Sequence, residues 1–143
     1  MDVLYLTLES ADNHIELPKV LNLKNKAVGL IDINGYYTPR RTLDKNLFLC
    51  CDFIKDSIIH NPQNSNLYPI VRLLNFKSGK TQLNGNDFFY DKIKEVYTKL
   101  IFLPCNRDEV DSMRLYLIDE QGNLPSFDEC QLTCSLLIFS LKN

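Results

Sequence analysis

Five cysteines, two histidines, a Gly-Lys-Thr triplet and two closely spaced aspartates are the residues of this chain whose types could do chemistry. The cysteines stand at 50, 51, 105, 130 and 134. Structural zinc sites draw on cysteines two to four apart, usually as two similar pairs. Here one pair is the adjacent Cys50 and Cys51, and neighbouring residues of a strand point to opposite faces. Cys130 and Cys134, in "CQLTC", share a face but would stand about 13 Å apart along an extended strand. All five therefore read as small buried hydrophobes, reduced and free of metal. Their odd number, and an N-terminus in which Met1 leads straight into the apolar run Val3–Leu8, predict a reducing setting without a secretory signal. The expected location is the interior of the cell.

"FKSGKT", Phe76 to Thr81, ends like a phosphate-binding loop, but the glycine that such a loop needs five residues before Gly79 is Leu74. It reads as a polar hairpin turn. His14 and His60 both lie in polar, turn-like surroundings. A nucleophile formed by Cys51 or Cys105 with His60 would be the one route to a small cysteine hydrolase, and no local motif supports it. Asp52 and Asp56 flank "FIK" and read as solvated acids at a strand end. The chain is thus expected to be no enzyme and to carry no cofactor.

The elements that would position these residues are strands. Apolar runs recur at Val3–Leu8, Ala27–Ile33, Leu47–Ile54, Leu67–Phe76, Thr98–Leu103, Met113–Ile118 and Leu132–Leu141, with a weaker one at Leu17–Leu23. Turn signals separate them: Asn-Gly at 34–35 and 84–85, Asn-Pro at 61–62, Ser-Gly at 78–79 and Gln-Gly-Asn at 121–123. About eight short strands of this kind predict an all-β antiparallel sandwich or barrel in one domain over 1–143, and the sandwich is the expectation carried forward. Ile93, Val96, Tyr97 and Leu100 also fit helical spacing, so 87–99 reads either as a short helix or as a loop entering the next strand. The alternate apolar positions Leu30, Leu49, Cys51, Val71, Leu73, Leu115, Leu117, Leu136 and Ile138 form the predicted core.

A chain of 143 residues buries roughly 68–70% of its unfolded surface, enough for a core without staples. The formal charge of −2 argues against direct contact with nucleic acid, and the tight basic pair Arg40-Arg41 suits a surface loop. No apolar run reaches the 18 residues a membrane span needs. Alternation puts Met113, Leu115 and Leu117 on the buried face of their strand and Arg114, Tyr116 and Ile118 on the solvated one. In the closing strand, Leu132, Cys134, Leu136 and Ile138 face inward. Thr133 and Ser135 face water as expected, but Leu137, Phe139 and Leu141 share that outer face. Either another part of the same chain covers these three, or they form an interface with a second subunit.

The order of several stretches carries a resemblance. "LYLTLES", "LPKVLNLKNKAVGLIDI", "NLFLCCDFIKDSIIHN", "LYPIVRLLNF", "DSMRLYLIDEQGNLPSF" and the terminal "LTCSLLIF" follow one another across nearly the whole chain. In this order they resemble the small single jelly-roll capsid proteins of Polinton/Maverick elements and their adintovirus-like relatives, the penton-type or minor capsid proteins. "KNKAVGL" lacks the tryptophan of the family pattern, "IIHN" replaces a Val-Gly-Asp, and the chain is small for a full penton protein. Those departures suit a diverged or domesticated copy. The resemblance implies a single jelly roll with a structural role in a virion. It also implies self-association, as a pentamer in the penton role, and a double jelly-roll major capsid protein as partner. A domesticated jelly roll that binds another protein or a ligand is the competing expectation.

Overall fold

Short alternating runs, each closed by a turn, make strands the cheapest way for this chain to bury its leucines and isoleucines. The computed structural model describes residues 2–39, 46–58 and 67–141, and among these the regular structure is entirely β. Twelve strands follow in order: β1 (Asp2–Leu8), β2 (Asp12–Asn22), β3 (Lys26–Pro39), β4 (Asn46–Cys51), β5 (Ser57–Ile58), β6 (Leu67–Tyr68), β7 (Ile70–Asn75), β8 (Lys77–Leu83), β9 (Asn86–Val96), β10 (Leu103–Pro104), β11 (Glu109–Ile118) and β12 (Phe127–Ser140). One sheet runs β1-β12-β3-β9-β8, with β10 also on β3; the other runs β2-β11-β4-β7. With the short strands and β8 set aside, the eight remaining strands lie in the chain-order pattern 1-8-3-6 over 2-7-4-5. That is the jelly roll. Arg40, Arg41, His60 and the Asn-Pro at 61–62 lie outside the described residues.

Between the sheets sits one core built from both inner faces, with Leu8, Leu30, Ile33, Leu49, Leu115, Leu117 and Leu136 fully buried. Of the nine core positions expected from alternation, eight belong to this cluster and Leu73 does not. Opposite β4, the register jumps from Leu49↔Arg72 to Cys50↔Ile70, so Val71 is an extra residue in the ladder. Such a bulge resets which side chains face inward. Leu74 is buried in place of Leu73, which is exposed opposite Phe48 on the outer face.

Three turn or helix expectations also give way. Residues 86–96 are strand β9, not a helix or loop, because Asn84 (φ 54°) and Gly85 (φ 78°) form the tight hairpin turn that pairs β8 with β9. The edge of β3 then pairs with Asp91 to Val96. Tertiary pairing overrides the helical spacing: Ile93 is buried while Val96 is largely exposed. Ser78-Gly79 is not a turn but the middle of β8, and Asn34-Gly35 lies inside β3, where Gly35 passes close to β12. Of the run Thr98–Leu103, only Leu103 enters a strand. The turn at 121–123 stands as read: Asp119 Oδ1 accepts hydrogen bonds from the Gln121 and Asn123 N–H groups, and Gly122 has φ 86°.

On the outer face of the four-stranded sheet, Tyr116 and Ile118 are buried with Cys50 under Phe48, Tyr68 and Ile70, where alternation alone predicts solvent. Beside them Arg114 forks onto Asp12, Nε to Oδ1 at 2.7 Å and Nη2 to Oδ2 at 3.1 Å, and lies over the Tyr116 ring. That hydrogen-bonded guanidinium holds the Asp12 carboxyl below its ordinary value, opposing a smaller effect of burial. A carboxyl lowered in the folded state adds stability above the unfolded value and loses it as pH falls through the folded one. Asp12→Asn is therefore expected to be less stable than wild type near neutrality. The difference should close below about pH 4, as acid and urea titrations would show.

Candidate functional site

The outer face of the six-stranded sheet collects the apolar side chains that the core leaves out. Along β12 the outward positions are Thr133, Ser135, Leu137 and Phe139, with Ser135 buried where water was expected, and Leu141 follows just past the strand end with its N–H donating to Asn25 O at 2.8 Å. Register brings Val3 of β1 opposite Leu137, and Tyr5 opposite Ser135. On the other flank Gly29 of β3 lies opposite Leu137, and Ala27 opposite Phe139. The stretch before β10 runs beside Gly29, so the Phe102 ring crosses that glycine and reaches Phe139, with centroids 5.0 Å apart.

The three residues expected to face outward thus do so to different extents. Phe139 is 37% and Leu141 49% exposed, while Leu137 is half-buried between Val3 and Gly29. Of the two alternatives, cover by the same chain is met in part. The same chain does reach over the closing strand, with Phe102 on one side and β1 on the other. Yet that cover is itself apolar and open: Val3, Ile101 and Phe102 remain exposed, and Tyr5 is 81% exposed. Val3 and Tyr5 were legible in the alternation of "DVLYLTL". Phe102 was not, because its place depends on pairing between residues more than seventy positions apart.

A second feature lies toward the opposite edge of this sheet. β9 pairs with β3 only from Asp91 onward, so residues 79–90 form a two-stranded ribbon beyond the main sheet. Leu83, Phe88 and Phe89 are exposed there, Phe88 and Phe89 on opposite faces of the ribbon. Where the ribbon leaves the sheet, a groove of about 810 Å³ is lined by Tyr36, Thr38, Phe88, Tyr90, Lys92 and Lys94 among others. Tyr36 donates its hydroxyl to Glu129 Oε1 at 2.8 Å. Lys77 and Lys92 stand directly opposite each other, an arrangement of like charges that disfavours the pair.

The residues singled out for chemistry are dispersed. Cys51 and Cys134 lie in the main core, Cys50 in the outer cluster, and Cys130 donates weakly to Leu8 O at 3.7 Å. The adjacent thiols at 50 and 51 therefore do face opposite ways. Burial raises every one of these thiols, Cys50 and Cys134 to about 12 and Cys105 and Cys130 to about 11. At pH 8 almost no thiolate is present, and only Cys105 is partly accessible. Titration with a thiol reagent is expected to find one slowly reacting thiol in the native protein and five after denaturation. Fast modification of Cys51 would contradict this placement.

His14 is exposed beside Asp12 at 3.7 Å. Asp52 pairs with Arg107 at 3.3 Å, and "FKSGKT" lies in an extended edge strand instead of wrapping an anion. Among the described residues, no three His, Cys, Asp or Glu side chains gather as a metal site would need. No helix there is long and apolar enough to cross a membrane. No family model and no curated protein matches the chain.

Proposed function

We propose that this protein is a structural jelly-roll subunit that assembles with copies of itself through the outer face of its six-stranded sheet, as a capsid-type protein of the penton or minor class does. The observation that carries the reading is the open apolar patch on the closing strand, formed by Leu137, Phe139 and Leu141 with Val3, Tyr5 and Phe102. Patches of this kind on soluble chains mark interaction sites or aggregation hazards. A neighbouring subunit removes the hazard, and burying the three β12-side residues would contribute roughly 1.5–3 kcal/mol each before association costs. The jelly-roll strand order and the sequence resemblance both suit a virion component or a virus-derived particle. A double jelly-roll major capsid protein is the second partner this reading implies.

Light scattering across a concentration series tests the reading on the full chain. A closed ring of five or more chains supports it, and a monomer at every concentration overturns it. The groove beside Tyr36 and Lys92 favours a second reading, a ligand-binding jelly roll outside any capsid. That reading requires a stable monomer whose groove tyrosines shift in an NMR or fluorescence titration with a small ligand.

A further inference from the structure

We infer that the apolar patch on the closing strand receives the β8–β9 ribbon of a second copy of this chain. This rests on the assembly reading above and names the two surfaces that meet. The exposed phenylalanines among the described residues, Phe88, Phe89, Phe102 and Phe139, fall at these two places and nowhere else. The ribbon brings Phe88 on the face it shares with Lys92 and Phe89 on the other face, on a pair of strands with no further sheet neighbour, and such ribbons are marginal until they pack on something. The patch offers a shallow apolar surface around Phe139 and Phe102, held by paired strands on both sides.

Charge points the same way. By register, Asp32 is the one charged residue that the outer face carries between β1 and β3 beside the patch, opposite Ser135. At the base of the ribbon, on the face that Phe88 shares, β8 and β9 carry only positive charge, at Lys77, Lys92 and Lys94. Among the described residues none of those three ammonium groups is within 4 Å of a carboxylate. A docked ribbon would bring them toward Asp32 and relieve the repulsion between Lys77 and Lys92. The two surfaces also lie toward opposite edges of one sheet, β1 at one end of the strand order and β8 at the other. Two different surfaces meeting between copies make every chain both donor and acceptor, which lets a contact propagate into a closed assembly.

Complementation between two crippled variants tests this. Phe88→Asp with Phe89→Asp removes the donor surface, and Phe139→Asp removes the acceptor. Each is expected to be folded by NMR fingerprint and monomeric by light scattering at concentrations where wild type assembles. Mixed one to one, they should form a heterodimer, because one chain keeps a sound ribbon and the other a sound patch. Binding in the mixture should be at least tenfold tighter than self-association of either variant. If the ribbon variant keeps the wild-type mass, or the folded mixture stays monomeric, the ribbon is not the occupant. A wild-type chain that is itself monomeric would instead remove the assembly reading on which the inference rests. Should either aspartate variant unfold, Phe88→Ser with Phe89→Ser and Phe139→Ser give the same comparison.

Discussion

Leu137→Asp combined with Phe139→Asp is expected to leave the sandwich folded and reduce the proposed assembly to single chains. Neither residue belongs to the core cluster, whose β12 members are Cys130, Leu132, Cys134, Leu136 and Ile138 on the other face. Within one chain the double change loses the Phe102–Phe139 ring contact, worth about 0.5–1.5 kcal/mol, and some half-buried area at Leu137. The monomer should survive with a melting temperature lower by several degrees. In the proposed contact between subunits the same change would place two carboxylates where apolar surface must be dehydrated, and a buried unpaired charge costs several kcal/mol. Light scattering coupled to circular dichroism reads both effects on one sample. Collapse of the β signal would mean that these side chains belong to the domain's own core. An unchanged mass would put the interface elsewhere on the molecule.

Gly35→Ala is expected to be severely destabilising. Gly35 sits in mid-strand with φ 142°, and a Cβ built there would lie 2.0 Å from the Gln131 carbonyl oxygen and 2.8 Å from Leu132 Cα. Those are backbone atoms of the central β3–β12 pair, so nothing flexible can yield. The cost should be on the order of 4 kcal/mol, a large part of the 5–15 kcal/mol typical of a whole domain. Gly85→Ala supplies the contrast, since its Cβ would meet nothing within 4 Å at the hairpin turn. Only the left-handed backbone is strained there, by about 1–2 kcal/mol. Chemical denaturation of both variants separates two accounts of Asn34-Gly35. Equal, mild losses would fit a turn; a severe loss at Gly35 alone fits close approach inside a sheet.

The sandwich itself was legible because a half-buried strand writes its burial into every second residue. Eight of nine expected core positions follow from that rule, and so does the outward set on β12. The rule fails at bulges, where one extra residue at Val71 exchanges Leu73 for Leu74, and the sequence carries no local mark of it. It fails again at the two Asn-Gly pairs. Both have the same local chemistry, yet 84–85 turns the chain and 34–35 runs straight, because only the second lies between β12 and β9. Residues 86–96 have the spacing of a helix and become a strand because a tight turn and a free sheet edge satisfy their backbone groups first.

For the candidate site, alternation along the last strand is enough to put Leu137, Phe139 and Leu141 away from its core side. Tertiary structure alone decided what surrounds them: Val3 and Tyr5 from the first strand, Phe102 across Gly29, and a projecting ribbon toward the far edge. Alternation is a property of one strand and its own side chains. A surface patch is made by pairing among strands distant in sequence, and hydrogen-bonded register, not local composition, sets which residues become neighbours.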